Sequence, residues 1–120
     1  MGKLLKKAVF PVLILLSFNA HALEAASCKF YAYELLSSGL VAQKPFLMPK
    51  HVRSIKDGLD PFGQPEILVR FNRAGAKIAA HYSERNIHKQ LAIFCGNVEL
   101  SRPYVQMRLT NLLSITYTEN

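Results

Sequence analysis

The side chains best suited to chemistry in this 120-residue chain are two cysteines and four histidines. His81 and His88 are seven residues apart, which is not the three- or four-residue spacing that places two metal ligands on one face of a helix. Glu84 follows His81 closely, but one acid near one histidine is far more often a surface pair than a general acid and base. We therefore expect no catalytic residues, no metal site and no cofactor, and we expect that the protein is not an enzyme.

The first 22 residues have the pattern of a secretory signal peptide. Lysines at positions 3, 6 and 7 precede an apolar run over residues 8–18, and Ala20 and Ala22 form a small-x-small cleavage site. A membrane anchor is a weaker alternative, because the run has about 11 residues where a spanning helix needs roughly 20. We expect cleavage after Ala22, a mature chain of residues 23–120 without a stable membrane span, and a location in the periplasm or outside the cell.

The two cysteines, Cys28 and Cys95, both remain after this cleavage. In an oxidising compartment such a pair is a candidate disulfide. One alternative is a pair of free thiols. Another is a lipoprotein anchored at Cys28, because small residues occupy positions 25–27. A disulfide requires Cα atoms within about 7 Å of each other, which the fold must decide.

The mature chain is only mildly basic. Three of the 15 basic residues belong to the predicted signal, so 12 basic residues face 8 acidic residues, a net charge of +4. These basic residues are scattered along the chain and do not form the clustered stripe that binds phosphates. We expect no nucleic-acid partner, and we expect any binding to depend on backbone and apolar contacts more than on charge.

Residues 60–103 predict a strand, a helix and a hairpin in succession. Ile67, Val69 and Phe71 alternate with their neighbours at the strand period of two. Asn72 can cap a following helix. The apolar positions of that helix recur at helical spacing and are Ala74, Ile78, Ala79 and Tyr82. The apolar run 91–95, followed by Gly96-Asn97, predicts a β-hairpin.

The flanking segments predict two more strands. Residues 28–36 form the first strand and residues 113–118 the last. Residues 43–63 are rich in proline and glycine, which predicts a long irregular connection with at most a short extended piece at 52–55. Residues 103–109 are expected to form an exposed connection or a short helix.

Tyr31 and Tyr33 share one face of the predicted first strand. Aromatic side chains are enriched at interfaces, so the two tyrosines are a candidate peptide-contact surface. Aromatic residues on one face of a strand also commonly pack in or beside a core. Both interpretations stay open at this point.

These elements predict an α+β fold in a single small domain. We expect a mainly antiparallel sheet of about four to five strands with one helix packed on one face. The mature length suits one domain with a modest core and is too short for two.

Three blocks of sequence carry a family resemblance. They are FNRAGAK at 71–77, NIHKQLAI at 86–93, and GNVELSRP at 96–103. Their order and spacing resemble the head subdomain of the first periplasmic domain of SecD, an accessory subunit of the bacterial Sec protein-export machinery. The resemblance is clearest over residues 60–117.

Two residues depart from the pattern of that family. His88 stands where the family usually has glycine, a residue type that often marks a backbone with positive φ. Cys95 stands where the family usually has aspartate before the hairpin turn, and a cysteine replaces a turn-side carboxylate poorly. We therefore expect Cys95 to pair with Cys28, which requires their strands to be neighbours or to face each other across the core.

The resemblance implies an exported, non-enzymatic protein- or peptide-binding module, one that would assist secreted or envelope proteins. The alternative is a secreted enzyme or enzyme inhibitor that reuses the fold. An open sheet edge or a shallow apolar groove would favour binding, whereas a deep pocket with converging polar groups would favour an enzyme. The identity of the protein or peptide partner and the oligomeric state stay open.

Overall fold

The computed structural model describes residues 27–117, so the predicted signal peptide and its cleavage site lie outside the described residues. The elements follow in this order: β1 (Phe30–Glu34), a 3-10 turn (Pro49–His51), β2 (Val52–Leu59), β3 (Pro65–Phe71), α1 (Arg73–Glu84), β4 (Leu91–Cys95), β5 (Val98–Ser101) and β6 (Leu112–Thr116).

β3 is the central strand of one three-stranded sheet, and β2 and β6 run antiparallel to it on either side. Ile67, Val69 and Phe71 are buried, which confirms the predicted alternation. β2 is eight residues long, so the prediction of at most a short extended piece there was wrong. Pairing with β3 along its length keeps β2 extended despite Gly58, because ladder hydrogen bonds outweigh the low strand propensity of one glycine.

β4 is the central strand of the second sheet, between β1 and β5. The register places Phe30 opposite Cys95, and Cys95 forms a disulfide with Cys28 at a Cα–Cα distance of 4.8 Å. The strand adjacency expected from the cysteine pair is therefore confirmed. The predicted hairpin is also present, with Gly96 at a positive φ of 60° between β4 and β5.

The two sheets bury their inner faces against each other. The rings of Phe30 on β1 and Phe71 on β3 have centroids 5.9 Å apart, and Ile67, Val69 and Ile93 are fully buried. The α+β class is confirmed, but the six strands form two sheets of three where the sequence suggested one. A single 12-residue helix cannot cover two apolar sheet faces, so the sheets cover each other and the helix closes the core beside them.

α1 begins as predicted, because the side-chain oxygen of Asn72 accepts a hydrogen bond from the Gly75 N–H at 2.9 Å. Its buried positions are Gly75, Ala79, Ala80 and Ser83. Ala74 is exposed, so its predicted place on the packed face was wrong. The helix turns its small residues toward the sheets, and the buried stripe is centred one position later than the apolar pattern indicated.

The segment before β2 contributes to the core although it is irregular. Phe46 N–H donates to the Ala32 carbonyl at 2.8 Å, and Ala32 N–H donates to the Leu47 carbonyl at 3.1 Å. Phe46 and Leu47 are buried, and the Phe46 ring stacks on Tyr82 with centroids 4.6 Å apart. The outer edge of β1 is therefore occupied by the protein's own chain.

His88 has a positive φ of 68°, as the substitution at a glycine position suggested. Histidine adopts this conformation less readily than glycine, and the His88 N–H is held by a hydrogen bond to the Val105 carbonyl at 2.8 Å.

Across residues 27–117, none of the helices has the length and apolar character needed to cross a membrane.

Candidate binding site

The segment 103–111, which connects β5 to β6, forms one wall of an apolar pocket. Its first part is pinned beside the start of β4: the Leu91 N–H donates to the Pro103 carbonyl at 3.0 Å, and the Val105 N–H donates to the Lys89 carbonyl at 2.9 Å. Val105 is buried by these contacts. The sequence predicted an exposed connection or a short helix here, and the structure has an extended, partly buried connection.

Arg102 fixes the start of this segment. Its guanidinium donates to the Glu99 carboxylate and, through Nη1, to the Gly39 carbonyl at 2.9 Å. The hydrogen bond to Glu99 raises the pKa of the Arg102 guanidinium above its usual range. Because the pair is exposed to solvent, its role is to orient the chain before Pro103 and not to contribute much stability.

Ser83 fixes the later part of the segment. This α1 side chain is fully buried, and its hydroxyl accepts a hydrogen bond from the Leu109 N–H at 2.8 Å while donating to the Ala80 carbonyl at 3.2 Å. A buried hydroxyl can do both because it has one donor hydrogen and two lone pairs. The segment is thus tied to β4 at one end and to the helix at the other.

The apolar pocket between these ties has a volume of about 190 Å³. It is lined by Leu91, Ile93, Pro103, Tyr104, Val105, Gln106, Met107, Leu109 and Leu113. Tyr104 and Met107 are 61% and 70% exposed, which places them at the rim. The polar groups in this lining are the Gln106 side chain and the Tyr104 hydroxyl, and the other side chains are apolar, so the pocket is suited to apolar groups.

The size and chemistry of the pocket limit what it can hold. Small-molecule and cofactor sites usually enclose roughly 300–1,000 Å³, so this pocket suits one or two side chains better than a whole cofactor. None of its lining residues is charged at neutral pH. Within residues 27–117, no three His, Cys, Asp or Glu side chains lie together in the way a metal site requires. Met107 at the rim is flexible and polarisable, which lets it adapt to side chains of different shape.

Tyr31 and Tyr33 lie elsewhere, on the face of β1 that points away from the core. Their rings have centroids 6.5 Å apart, and Tyr33 meets Phe94 of β4 edge to face at 5.2 Å. Both tyrosines are half-buried, while Phe30 and Ala32 on the opposite face are buried. Neither hydroxyl makes a hydrogen bond within the part of the chain that the structure describes. The structure does not bring these tyrosines to the apolar pocket.

Sequence reasoning missed the residues that line the pocket. The signal that could have found them is the group of apolar side chains between Pro103 and β6, namely Tyr104, Val105, Met107 and Leu109. An exposed connection seldom has so many apolar residues in so short a stretch. The walls contributed by Leu91, Ile93 and Leu113 could be assigned to it only when the two sheets were known to face each other.

Comparison with known proteins gives consistent results. A family model described as the SecDF P1 head subdomain matches residues 30–118. The curated relatives include protein translocase subunits SecD from Endomicrobium trichonymphae, 39% identical over 49 residues, and Dictyoglomus turgidum, 31% identical over 67 residues. These matches cover 41% and 56% of this chain but only 10% and 17% of the relatives. The chain therefore corresponds to a small part of each relative.

Two solved structures have a similar fold. A crystal structure of SecDF in the super-membrane-facing form superposes with a TM-score of 0.65 at 17% identity, over 77% of this chain and 17% of the other. A second structure, titled as a membrane component SecDF that enhances protein export, has a TM-score of 0.64 at 15% identity, over 75% of this chain and 56% of the other. At this level of identity the likeness concerns the fold.

Proposed function

The chain belongs to the SecDF P1 head subdomain family, and on that basis we propose that it is a non-enzymatic, polypeptide-binding module that acts in protein export. One observation carries the proposal. The apolar pocket formed by the 103–111 segment opens between the sheets, has Tyr104 and Met107 exposed at its rim, and is lined by apolar side chains apart from Gln106 and the Tyr104 hydroxyl. Such a site can bind an apolar side chain of an extended polypeptide with little demand on sequence.

The proposed ligand is a polypeptide that is not yet folded. Folded proteins bury most of their large apolar side chains, so a pocket that needs a free apolar side chain selects chains that still expose them. A pocket for one or two side chains also limits the contact area, which favours weak and rapidly reversible binding. These properties suit a module that contacts many different export substrates in turn.

We further propose that the module acts outside the cytoplasm after cleavage of a signal peptide at Ala22. The pattern over the first 22 residues supports this, as does the disulfide between Cys28 and Cys95, since such bonds persist in oxidising compartments. Intact-mass measurement of the purified protein is expected to give a chain beginning at Leu23. A chain that retains Met1, or one that carries a lipid on Cys28, would contradict this part of the proposal.

The binding function is tested with a labelled peptide and two matched variants. The probe is a fluorescein-labelled, extended peptide with one leucine in a glycine–serine background, and the readout is fluorescence anisotropy with the mature protein. Met107→Asp places a charge at the pocket rim and is expected to weaken binding about tenfold or more, because the carboxylate must lose water when the leucine enters. Leu59→Asp is the control, since Leu59 is 69% exposed on β2, outside the pocket lining.

Equal affinity of the two variants would contradict the proposed site, and failure of the wild-type protein to bind the leucine peptide would contradict the proposed function.

We propose Tyr31 and Tyr33 as a secondary contact surface, because their hydroxyls are free to form hydrogen bonds with a peptide backbone. If so, Tyr31→Ala with Tyr33→Ala is expected to weaken binding of long peptides and to leave the short leucine peptide unaffected.

A further inference from the structure

A second groove lies beside the apolar pocket, between α1 and the later part of the 103–111 segment. This basic groove has a volume of about 250 Å³ and is open to solvent. It is lined by Ala76, Lys77, Ala80, Arg108, Leu109, Thr110 and Asn111. Its two charged residues, Lys77 and Arg108, are both basic and both exposed.

Within residues 27–117, neither of these charges forms an ion pair with an acidic side chain. The ion pairs within residues 27–117 join Arg85 to Glu34 and Arg102 to Glu99, and neither includes Lys77 or Arg108. Neither side chain makes a hydrogen bond in the same part of the chain. The groove therefore presents two uncompensated positive charges to any group that enters it.

The basic groove and the apolar pocket share a wall. Leu109 lines both, and its N–H is held by Ser83, so the wall has a fixed position. On the groove side, Ala76 and Ala80 have small side chains, which lets an incoming backbone approach the helix closely. A ligand that fills the pocket and continues past Leu109 therefore comes close to the two positive charges of the groove.

We propose that the pocket and the groove together recognise a polypeptide segment in which an apolar residue is followed or preceded by an acidic residue. The apolar side chain occupies the pocket, and the carboxylate lies in the groove beside Lys77 and Arg108. This inference rests on the proposed function and adds a preference of the same site for an acidic neighbour. The complementarity is one of charge: two unpaired cations on one side of Leu109 are matched by an anion in the ligand.

The spacing of the two ligand residues follows from the shared wall. An extended chain advances about 3.3 Å per residue, and the two concavities have Leu109 as a common lining residue. An acidic residue one to three positions from the apolar residue can therefore reach the groove. Arg108 can bind a carboxylate through two parallel N–H groups, whereas Lys77 acts as a point charge. Because both cations are exposed, the charge contribution is a several-fold preference added to apolar binding.

The test compares four fluorescein-labelled peptides of equal length by anisotropy. Three have one leucine with Glu, Gln or Lys two positions away, and the fourth has alanine in place of leucine beside Glu. The expected affinity order is Leu–Glu, then Leu–Gln, then Leu–Lys, in several-fold steps that shrink between 50 and 300 mM salt. The alanine peptide is expected to bind much more weakly than Leu–Glu.

Two double variants identify the charges responsible. Lys77→Gln with Arg108→Gln is expected to make the Leu–Glu and Leu–Gln peptides bind equally. Arg53→Gln with Lys56→Gln is the matched control, because it removes one Arg and one Lys that are also exposed but lie on β2, and it is expected to preserve the order.

The outcomes separate this inference from the proposed function. If all three leucine peptides bind equally, or if the control variant abolishes the order as well, the acidic preference is overturned while apolar binding stands. If the alanine–Glu peptide binds as tightly as Leu–Glu, the site recognises charge alone and the coupling of pocket and groove is overturned. If no leucine peptide binds the wild-type protein, the proposed function fails together with this inference.

Discussion

The hydroxyl of Ser83, inside the helix, accepts the Leu109 backbone N–H at 2.8 Å and so joins α1 to the segment that forms the apolar pocket. Ser83 has no exposed surface, and the same hydroxyl donates to the Ala80 carbonyl one helical turn earlier. A serine in a helix interior usually lowers helix stability slightly. Here the side chain compensates by satisfying a partly buried backbone donor, and it sets the position of the wall between the pocket and the groove.

Ser83→Ala is expected to lower the free energy of unfolding by roughly 1–2 kcal/mol, because the Leu109 N–H loses its acceptor. It is also expected to weaken leucine-peptide binding, since the wall of the pocket is no longer held. Urea unfolding and peptide anisotropy measure the two effects. Ser37→Ala, at an exposed serine, is the control. Unchanged stability and affinity in Ser83→Ala would show that the bond does not hold the segment.

Loss of the Cys28–Cys95 disulfide is expected to lower the melting temperature. The bond closes a loop with a sequence separation of 67 residues, and restricting such a loop in the unfolded chain is worth about 4 kcal/mol by the chain-entropy estimate. Cys95→Ser, Cys28→Ser and addition of reductant to the wild type should have similar effects that do not add. The double variant is the control and should not respond to reductant. Two free thiols in unfolded, unreduced protein would contradict the pairing.

His51 is expected to make the protein less stable in mild acid. Burial, and secondarily the charge of Lys50, lowers its pKa, and its Nδ1 accepts the Met48 N–H at 3.0 Å, which requires the unprotonated atom. As the pH falls, the unfolded state therefore binds a proton on His51 before the folded state does. The stability that comes from keeping His51 neutral is fully present above about pH 6.5, and the free energy of unfolding decreases as the pH drops below that value.

The urea midpoint measured from pH 7.5 to pH 5 tests this dependence on His51. His51→Gln keeps an acceptor for the Met48 N–H and removes the titration, so its curve should be flatter than that of the wild type. His81→Gln is the control, because His81 is exposed on α1. Parallel curves for the wild type and His51→Gln would rule out His51 as the source.

Gly75→Ala is expected to destabilise the fold by about 1–3 kcal/mol, although alanine is the better helix former. A Cβ on Gly75 would overlap the His51 carbonyl oxygen and lie 2.9 Å from the His51 Cβ. That carbonyl accepts the Asn72 N–H at 3.0 Å, so it cannot move without disturbing the start of the helix. Gly58→Ala is the control, since its nearest contact is the flexible Glu66 side chain at 3.4 Å. A more stable Gly75→Ala protein, measured by thermal unfolding, would disprove this role for the glycine.

The sequence was most informative where local chemistry decides structure. The alternation of Ile67, Val69 and Phe71, the cap at Asn72 and the turn at Gly96 each depend on residues within a few positions, and each is present in the structure. It was least informative for β2, because proline and glycine nearby lower the strand propensity. Pairing with β3 depends on a partner strand and overrides that propensity.

By itself, the sequence determined the α+β class, the order of strand, helix and hairpin, and the family resemblance, because periodicity, caps and turns are local properties. Only the tertiary structure decided that the strands form two facing sheets and that Cys28 lies beside Cys95. It also decided that Lys77 and Arg108, far apart in the sequence, line one groove beside an apolar pocket. Such sites depend on which distant segments pack together, and that is set by burial of apolar surface over the whole chain.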